Sequence, residues 1–156
     1  MRKEITEHLD RAAIDRQDSQ IKPIDFVKSA GVATAILVLN VLGSIVIVLG
    51  YSLLIEPGHP KEFYDAAALR IAPWCSYTIG TALFFGAGYY CTRRRPQRNG
   101  YIFAGMITVS YAVIDGAVVG FAGVFALGFL LSTLVKLIAA MVGTTLARTK
   151  GPVRAG

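Results

Sequence analysis

Cysteine and histidine are scarce in this sequence, with two of each in 156 residues. Cys75 and Cys91 stand 16 residues apart within one apolar stretch. On a single helix roughly 24 Å of rise would separate them, so they cannot form a disulfide with each other and read as small apolar residues. His8 and His59 both lie outside the apolar runs, which leaves Ser44, Ser76, Ser110 and Ser132 without a histidine to activate them. There is no His/Glu metalloprotease pattern, no Gly-Lys-Ser/Thr phosphate loop, no haem-attachment motif and no Cys/His metal spacing. The chain is therefore expected not to be an enzyme and to use no cofactor and no metal.

Charge is the second deficit. Only 17% of residues are charged while 54% are hydrophobic, against about 25% and roughly 45–50% in ordinary soluble domains. The deficit is concentrated: Ser29 to Ile55 is 27 residues without a charge, and Ile71 to Thr92 is another 22. Crossing a hydrocarbon core of about 30 Å takes roughly 20 helical residues, and so small a domain has no core in which to hide such runs. A water-soluble globular fold is excluded on this reading. Asn99 to Ala147 adds 49 residues interrupted only by Asp115 and Lys136, too long for one crossing and suited to two. Gly116, Gly120, Gly123 and Gly128 cluster near its middle, which places a reversal near 120–124. The expected fold is all-α, an integral membrane four-helix bundle with spans near 29–55, 69–91, 99–120 and 124–147. A cytosolic segment over 1–25 with a short helix precedes the membrane domain of 26–156.

The basic residues then sort by side. Arg2, Lys3, Arg11, Arg16, Lys22 and Lys28 precede the first span, Arg93, Arg94, Arg95 and Arg98 lie between the second and third, and Arg148, Lys150 and Arg154 follow the fourth. These segments share one face and carry 13 of the 16 basic residues, so both termini are expected on the cytoplasmic side of a cell or inner membrane. The formal net charge of +6 does not point to nucleic acid, because a short loop between spans is where orientation already requires arginine. Attraction of Arg93, Arg94, Arg95 and Arg98 to anionic lipid headgroups, about 1 kcal/mol per residue near the surface, follows from the same placement. The first 28 residues hold six acids and six bases and no short apolar run with a cleavage site. The first span is thus expected to act as an uncleaved insertion signal.

Outside the spans, Ile5, Leu9, Ala12 and Ala13 fall at helical spacing within Lys3 to Gln20, with balanced charges that favour solvent or a protein partner over lipid. On the far side, Glu56 to Asp65 is rich in turn formers, with Asp65 as a candidate N-cap for a helix starting at Ala66. His59 with Glu56, Glu62 and Asp65 could be drawn as a metal or proton site, although hydrated loop charges are the simpler reading. Phe63, Tyr64 and Trp74 are placed to anchor one interface, and Tyr89, Tyr90, Tyr101 and Phe103 the other.

Two ionisable residues inside the spans remain. A charge at such depth costs at least about 2.5–3.5 kcal/mol on insertion scales and normally faces the bundle interior, a wet cavity or an opposite charge. Asp115 and Lys136 are the leading candidates for an ion or proton pathway. Thr108 and Tyr111 share the helical face of Asp115, and Asn40 lies at a depth similar to Lys136. A turn near Gly123 leaves the lysine roughly 8 Å deeper than the carboxylate, within reach of a bent stem. Arg70 is a second possible counter-charge for Asp115. Small residues at intervals of four, Ala112, Gly116 and Gly120, then Ser76 and Gly80, then Ala139 and Gly143, supply close-approach faces that could serve contacts within the chain or between copies. The expected function is a non-enzymatic multi-pass membrane subunit supporting transport or complex assembly, in contact with membrane lipids and with itself or other membrane proteins. A small proton- or ion-coupled transporter or channel using Asp115 and Lys136 is the alternative, and a lipid-binding membrane protein the third reading.

Overall fold

The structure, a computed structural model, describes residues 23–94, 99–121 and 127–149. Helix α1 spans Pro23–Gly50 and continues as a wider π turn over Tyr51–Ile55. Helices α2, α3 and α4 span Lys61–Arg94, Gly100–Phe121 and Leu127–Thr149. There is no strand among the described residues. The proposed helix within residues 3–20, the loop arginines Arg95 and Arg98, the centre of the reversal after Phe121, and the basic tail residues Lys150 and Arg154 lie outside the described residues.

Local chemistry explains the helix limits. Pro23 opens α1, where its missing N–H costs nothing, and Asp25 occupies the first turn, where negative charge is favoured. At the other end the Glu56 N–H donates to the Tyr51 carbonyl at 3.1 Å. The chain then reverses through Pro57 and Gly58, whose φ of +87° is left-handed backbone that suits glycine. Helix α2 begins at Lys61, ahead of the start at Ala66 anticipated from Asp65. The Phe63 N–H donates to the Pro60 carbonyl at 3.1 Å, so Pro60 provides the first turn and Asp65 is an exposed residue inside the helix.

The helices alternate in direction, as side-chain levels show. Gly43 of α1 faces Ile79 of α2. Tyr101 meets Thr145 at 3.2 Å, and Gly116 faces Phe129, so α3 and α4 are antiparallel. The Tyr77 hydroxyl donates to the Gly128 carbonyl at 2.9 Å while Thr92 donates to Thr144 at 3.3 Å, so α2 and α4 run in the same direction. The α2–α4 contact is the most extensive in the bundle, and α1 packs on α2 and α3. It is close because it lacks side chains at critical points. A Cβ on Gly88 would collide with the Ala140 carbonyl, and one on Gly143 with the backbone of Phe85 and Tyr89. Around this contact Ala33, Ile36, Phe84, Ala104, Ile107, Tyr111 and Ala140 form the buried core.

The outer surface is apolar over most of its length. Leu39, Leu42, Ile45 and Val46 on α1, Val109 and Val113 on α3, and Leu130, Leu134 and Ile138 on α4 are all exposed. Water does not tolerate an apolar surface of that extent on a stable monomer, whereas hydrocarbon does. Among the described residues three segments, Pro23–Ile55, Gly100–Val118 and Leu127–Thr149, are long and apolar enough to cross a membrane. All four expected helices are present, and on composition α2 falls short of the other three. The 34-residue α2 has ample length but includes Pro73, Trp74, Ser76, Tyr77, Thr78 and Thr81, which dilute its apolar content.

The glycine contacts make a direct prediction. Gly88→Leu or Gly143→Leu must push α2 and α4 apart and is expected to cost at least about 1–3 kcal/mol, the usual range for overpacking. Gly86→Leu and Gly105→Leu, where an added Cβ meets nothing within 4 Å, are expected to leave thermal unfolding in detergent close to that of the parent. Equal behaviour of the two pairs would contradict the packing described.

Candidate functional site

Helix α4 turns Ser132, Lys136, Ala140 and Gly143 inward, a spacing of one helical face. Lys136 is the centre of the polar cluster, with only 1% of its surface exposed. Its Nζ donates to the Ser76 hydroxyl at 2.9 Å and to the Tyr111 hydroxyl at 3.2 Å. The amino group also lies 4.6 Å from the centroid of the Tyr111 ring, within cation–π range. Tyr111 is itself fixed by Phe84, which meets it edge-on at 5.0 Å and 87°.

Room for the lysine stem comes from Gly80. A Cβ there would lie 2.8 Å from Lys136 Cε and 3.8 Å from Asn40 Oδ1. Gly80 and Ser76, anticipated as helix-packing residues, are thus also the lysine's space and its acceptor. Asn40 is buried beside them, and its Oδ1 has no hydrogen-bond partner. Ser132, one turn before the lysine on α4, is in the same condition at Oγ.

Asp115 is half-buried on α3, close enough to Tyr111 and Lys136 for its charge to act on both. No ion pair within 4.0 Å joins it to Lys136, two of whose three N–H donors go to Ser76 and Tyr111. Arg70 is exposed at the far end of α2 and forms no ion pair with Asp115. Thr108 is buried but turns to its own helix, donating to the Ala104 carbonyl at 3.0 Å, and so stands apart from the cluster. Ala112 and Ala139 are half-buried and Gly116 packs on the Phe129 ring, while the surroundings of Gly120 lie outside the described residues.

An open cavity of about 970 Å³ lies above this cluster, toward the α1–α2 loop. Its walls are apolar, from Leu37, Val41, Ile45 and Val48 on α1 and from Leu69, Ala72 and Pro73 on α2. Its polar lining includes Asn40, Ser76, Asp115 and Ser132. Tyr64 closes the loop end, where its hydroxyl donates to the Glu56 carbonyl and accepts from the His59 N–H. His59 stacks on Phe63 and pairs with Glu56 at 3.1 Å. Among the described residues no group of three His, Cys, Asp or Glu is placed to hold a metal ion.

At the opposite end of the bundle, Arg93 donates to the Tyr89 hydroxyl at 2.8 Å, Arg94 stacks over Tyr90 and Arg148 over Tyr101. The ends of α2 and α4 and the start of α3 therefore share one Arg/Tyr girdle. The rarity of charge in the apolar runs flagged Asp115 and Lys136, but it did not reveal the cavity or the role of Ser76, since neither can be seen before α2 is known to lie beside α4.

A double-mutant cycle tests the cluster. Tyr111→Phe removes one acceptor and is expected to cost about 0.6–1.7 kcal/mol, the range for interhelical hydrogen bonds in membranes. Lys136→Met is expected to cost more, and Asp115→Asn added to it to restore part of the loss, because the carboxylate no longer lacks its counter-charge. A coupling of at least about 0.5 kcal/mol in thermal unfolding supports the arrangement, and strict additivity contradicts it.

No family model matches the chain, and comparison with curated proteins and with solved structures likewise gives no match.

Proposed function

We propose that this chain is a four-crossing integral membrane protein without enzymatic activity, and that it supports transport through the polar cluster beneath its cavity. The supporting observation is the position of Lys136: fully enclosed, held by two hydrogen bonds, and separated by Ser76 from a cavity that Asp115 lines. Ionisable groups are costly in an apolar bundle, and a packing role alone would be served as well by leucine. An open cavity lined by Asp115 gives a solute or a proton a route to the carboxylate, with Ser76 between that cavity and Lys136.

In this reading α2 crosses the membrane despite its lower hydropathy, with Ser76 and Gly80 against Lys136, Gly88 against α4, and ends that carry Lys61 on one side and Arg93 and Arg94 on the other. The Arg/Tyr girdle faces the cytoplasm along with both termini, and its arginines meet anionic headgroups. Assembly with other copies or other membrane proteins has less support, since Gly80 and Gly143, two of the residues that suggested it, are occupied within the chain.

The experiment has two arms. In intact cells, a membrane-impermeant maleimide is expected to label Gly58→Cys, but to label Arg94→Cys and Thr149→Cys only after the membrane is opened, with the native cysteines replaced by alanine. In proteoliposomes loaded with a pH-sensitive dye, Asp115→Asn and Lys136→Met are each expected to lower proton-linked flux at least about tenfold, equivalent to 1.4 kcal/mol or more. Opposite labelling of positions 94 and 149 overturns the topology. Unchanged flux in both variants, with the fold intact, overturns the transport role.

A further inference from the structure

We propose that the cavity binds an amphipathic primary ammonium ion, with its apolar tail between α1 and α2 and its nitrogen on the polar lining below. The proposal rests on the transport reading for its purpose but concerns binding alone. A volume of about 970 Å³ falls within the roughly 300–1,000 Å³ usual for small-molecule sites. The α1 wall is mainly Leu37, Val41, Ile45 and Val48, and its Ser44 and Ser52 hydroxyls donate to carbonyls of their own helix, so the surface suits an apolar tail.

The head is specified by what lies at the bottom. Asn40 is 7% exposed and Ser132 8% exposed, and both line the cavity. Each has a buried oxygen, Asn40 Oδ1 and Ser132 Oγ, with no hydrogen-bond partner. Buried polar atoms left unpaired are costly, so two of them just behind the wall of one cavity favour a ligand whose head reaches them with donors. The third acceptor is the Asp115 carboxylate, and it is the one ionisable side chain besides Tyr64 and Tyr77 in the lining. Lys136 is not part of that lining, and its amino group is turned to Ser76 and Tyr111. A cationic head therefore meets a carboxylate and two neutral oxygens, with the lysine held back behind the serine. A primary ammonium has three N–H donors for these three acceptors, whereas a carboxylate head meets the like charge of Asp115 and an alcohol has one donor.

The probe is octylammonium, compared with octanol, octanoate and octyltrimethylammonium, on the full chain in nanodiscs of uncharged phosphatidylcholine. Val48→Cys, in the cavity wall, serves as reporter in a Cys75→Ala, Cys91→Ala background, with labelling by a neutral maleimide as the readout. Octylammonium is expected to slow labelling at concentrations where the other three do not. Asp115→Asn is expected to weaken that protection at least about tenfold, as loss of a buried charge partner does, and Asp115→Glu to retain it. Should Asp115→Asn fail to fold, Ser132→Ala is expected to weaken protection about fivefold, the equivalent of one hydrogen bond near 1 kcal/mol. Equal protection by octanol, octanoate or octyltrimethylammonium overturns the proposal. So does unchanged preference for octylammonium in folded Asp115→Asn, or in Ser132→Ala where Asp115→Asn cannot be tested. Protection without flux leaves binding in place and removes only the transport reading. Flux without protection removes only this ligand.

Discussion

The bundle is organised around the need to keep one lysine amino group satisfied inside an apolar interior. Lys136 cannot reach water along its own helix, so three other helices supply what water would have given. Helix α2 contributes the Ser76 acceptor and the space above Gly80, α3 contributes the Tyr111 hydroxyl and ring, and α1 places Asn40 beside them. Each of these depends on close approach of backbones. Hydrocarbon gives no hydrophobic drive for helices to associate, so the contact must come from van der Waals fit and hydrogen bonds. That accounts for the glycines at the α2–α4 seam, where Gly88 and Gly143 leave no room even for a methyl group.

The same seam divides the molecule into two unequal ends. Toward the Arg/Tyr girdle, α2 and α4 are in tight contact and Thr92 and Thr144 bond across the gap. Toward the α1–α2 loop the helices part, and the space they leave is the cavity. Pro73 falls on the parting side and lines that space. Its ring cannot donate to the Leu69 carbonyl, so α2 has one helical hydrogen bond fewer beside the cavity. The polar cluster sits where the tight end meets the open end, which is why Lys136 is enclosed while Asp115, one helix away, borders the cavity.

Much of the helical architecture was legible in the sequence because uncharged runs of 22 and 27 residues admit few alternatives to a helix in lipid. Asp115 and Lys136 were legible for the same reason, as rare charges in such runs. The lysine's contacts were not. Hydropathy records how a residue suits its solvent and says nothing of which helices are neighbours, so Ser76 and Gly80 read as packing residues and Thr108 as part of a seam it does not join. Asp115 was read as a possible direct partner for Lys136, yet the lysine's donors go to a serine and a tyrosine on two different helices. The start of α2 was misjudged for a local reason, since Pro60 can open a helix as well as Asp65 can cap one. The lower hydropathy of α2 also has a structural reason in part, because Ser76 serves the lysine and Tyr77 bonds α4, whereas Trp74 and Thr78 are exposed.

The central claim is that the Lys136 side chain is seated between Ser76 and Tyr111, over Gly80, and out of contact with bulk water. Nuclear Overhauser spectroscopy on the chain in nanodiscs, with the lysine side chains and glycines isotopically labelled, tests it most directly. The account predicts cross-peaks from the Lys136 terminal methylene to the Tyr111 ring and to the Gly80 α-protons, and slow exchange of the Nζ protons with solvent. A Lys136 side chain with no cross-peak to either residue and with rapid solvent exchange would contradict it.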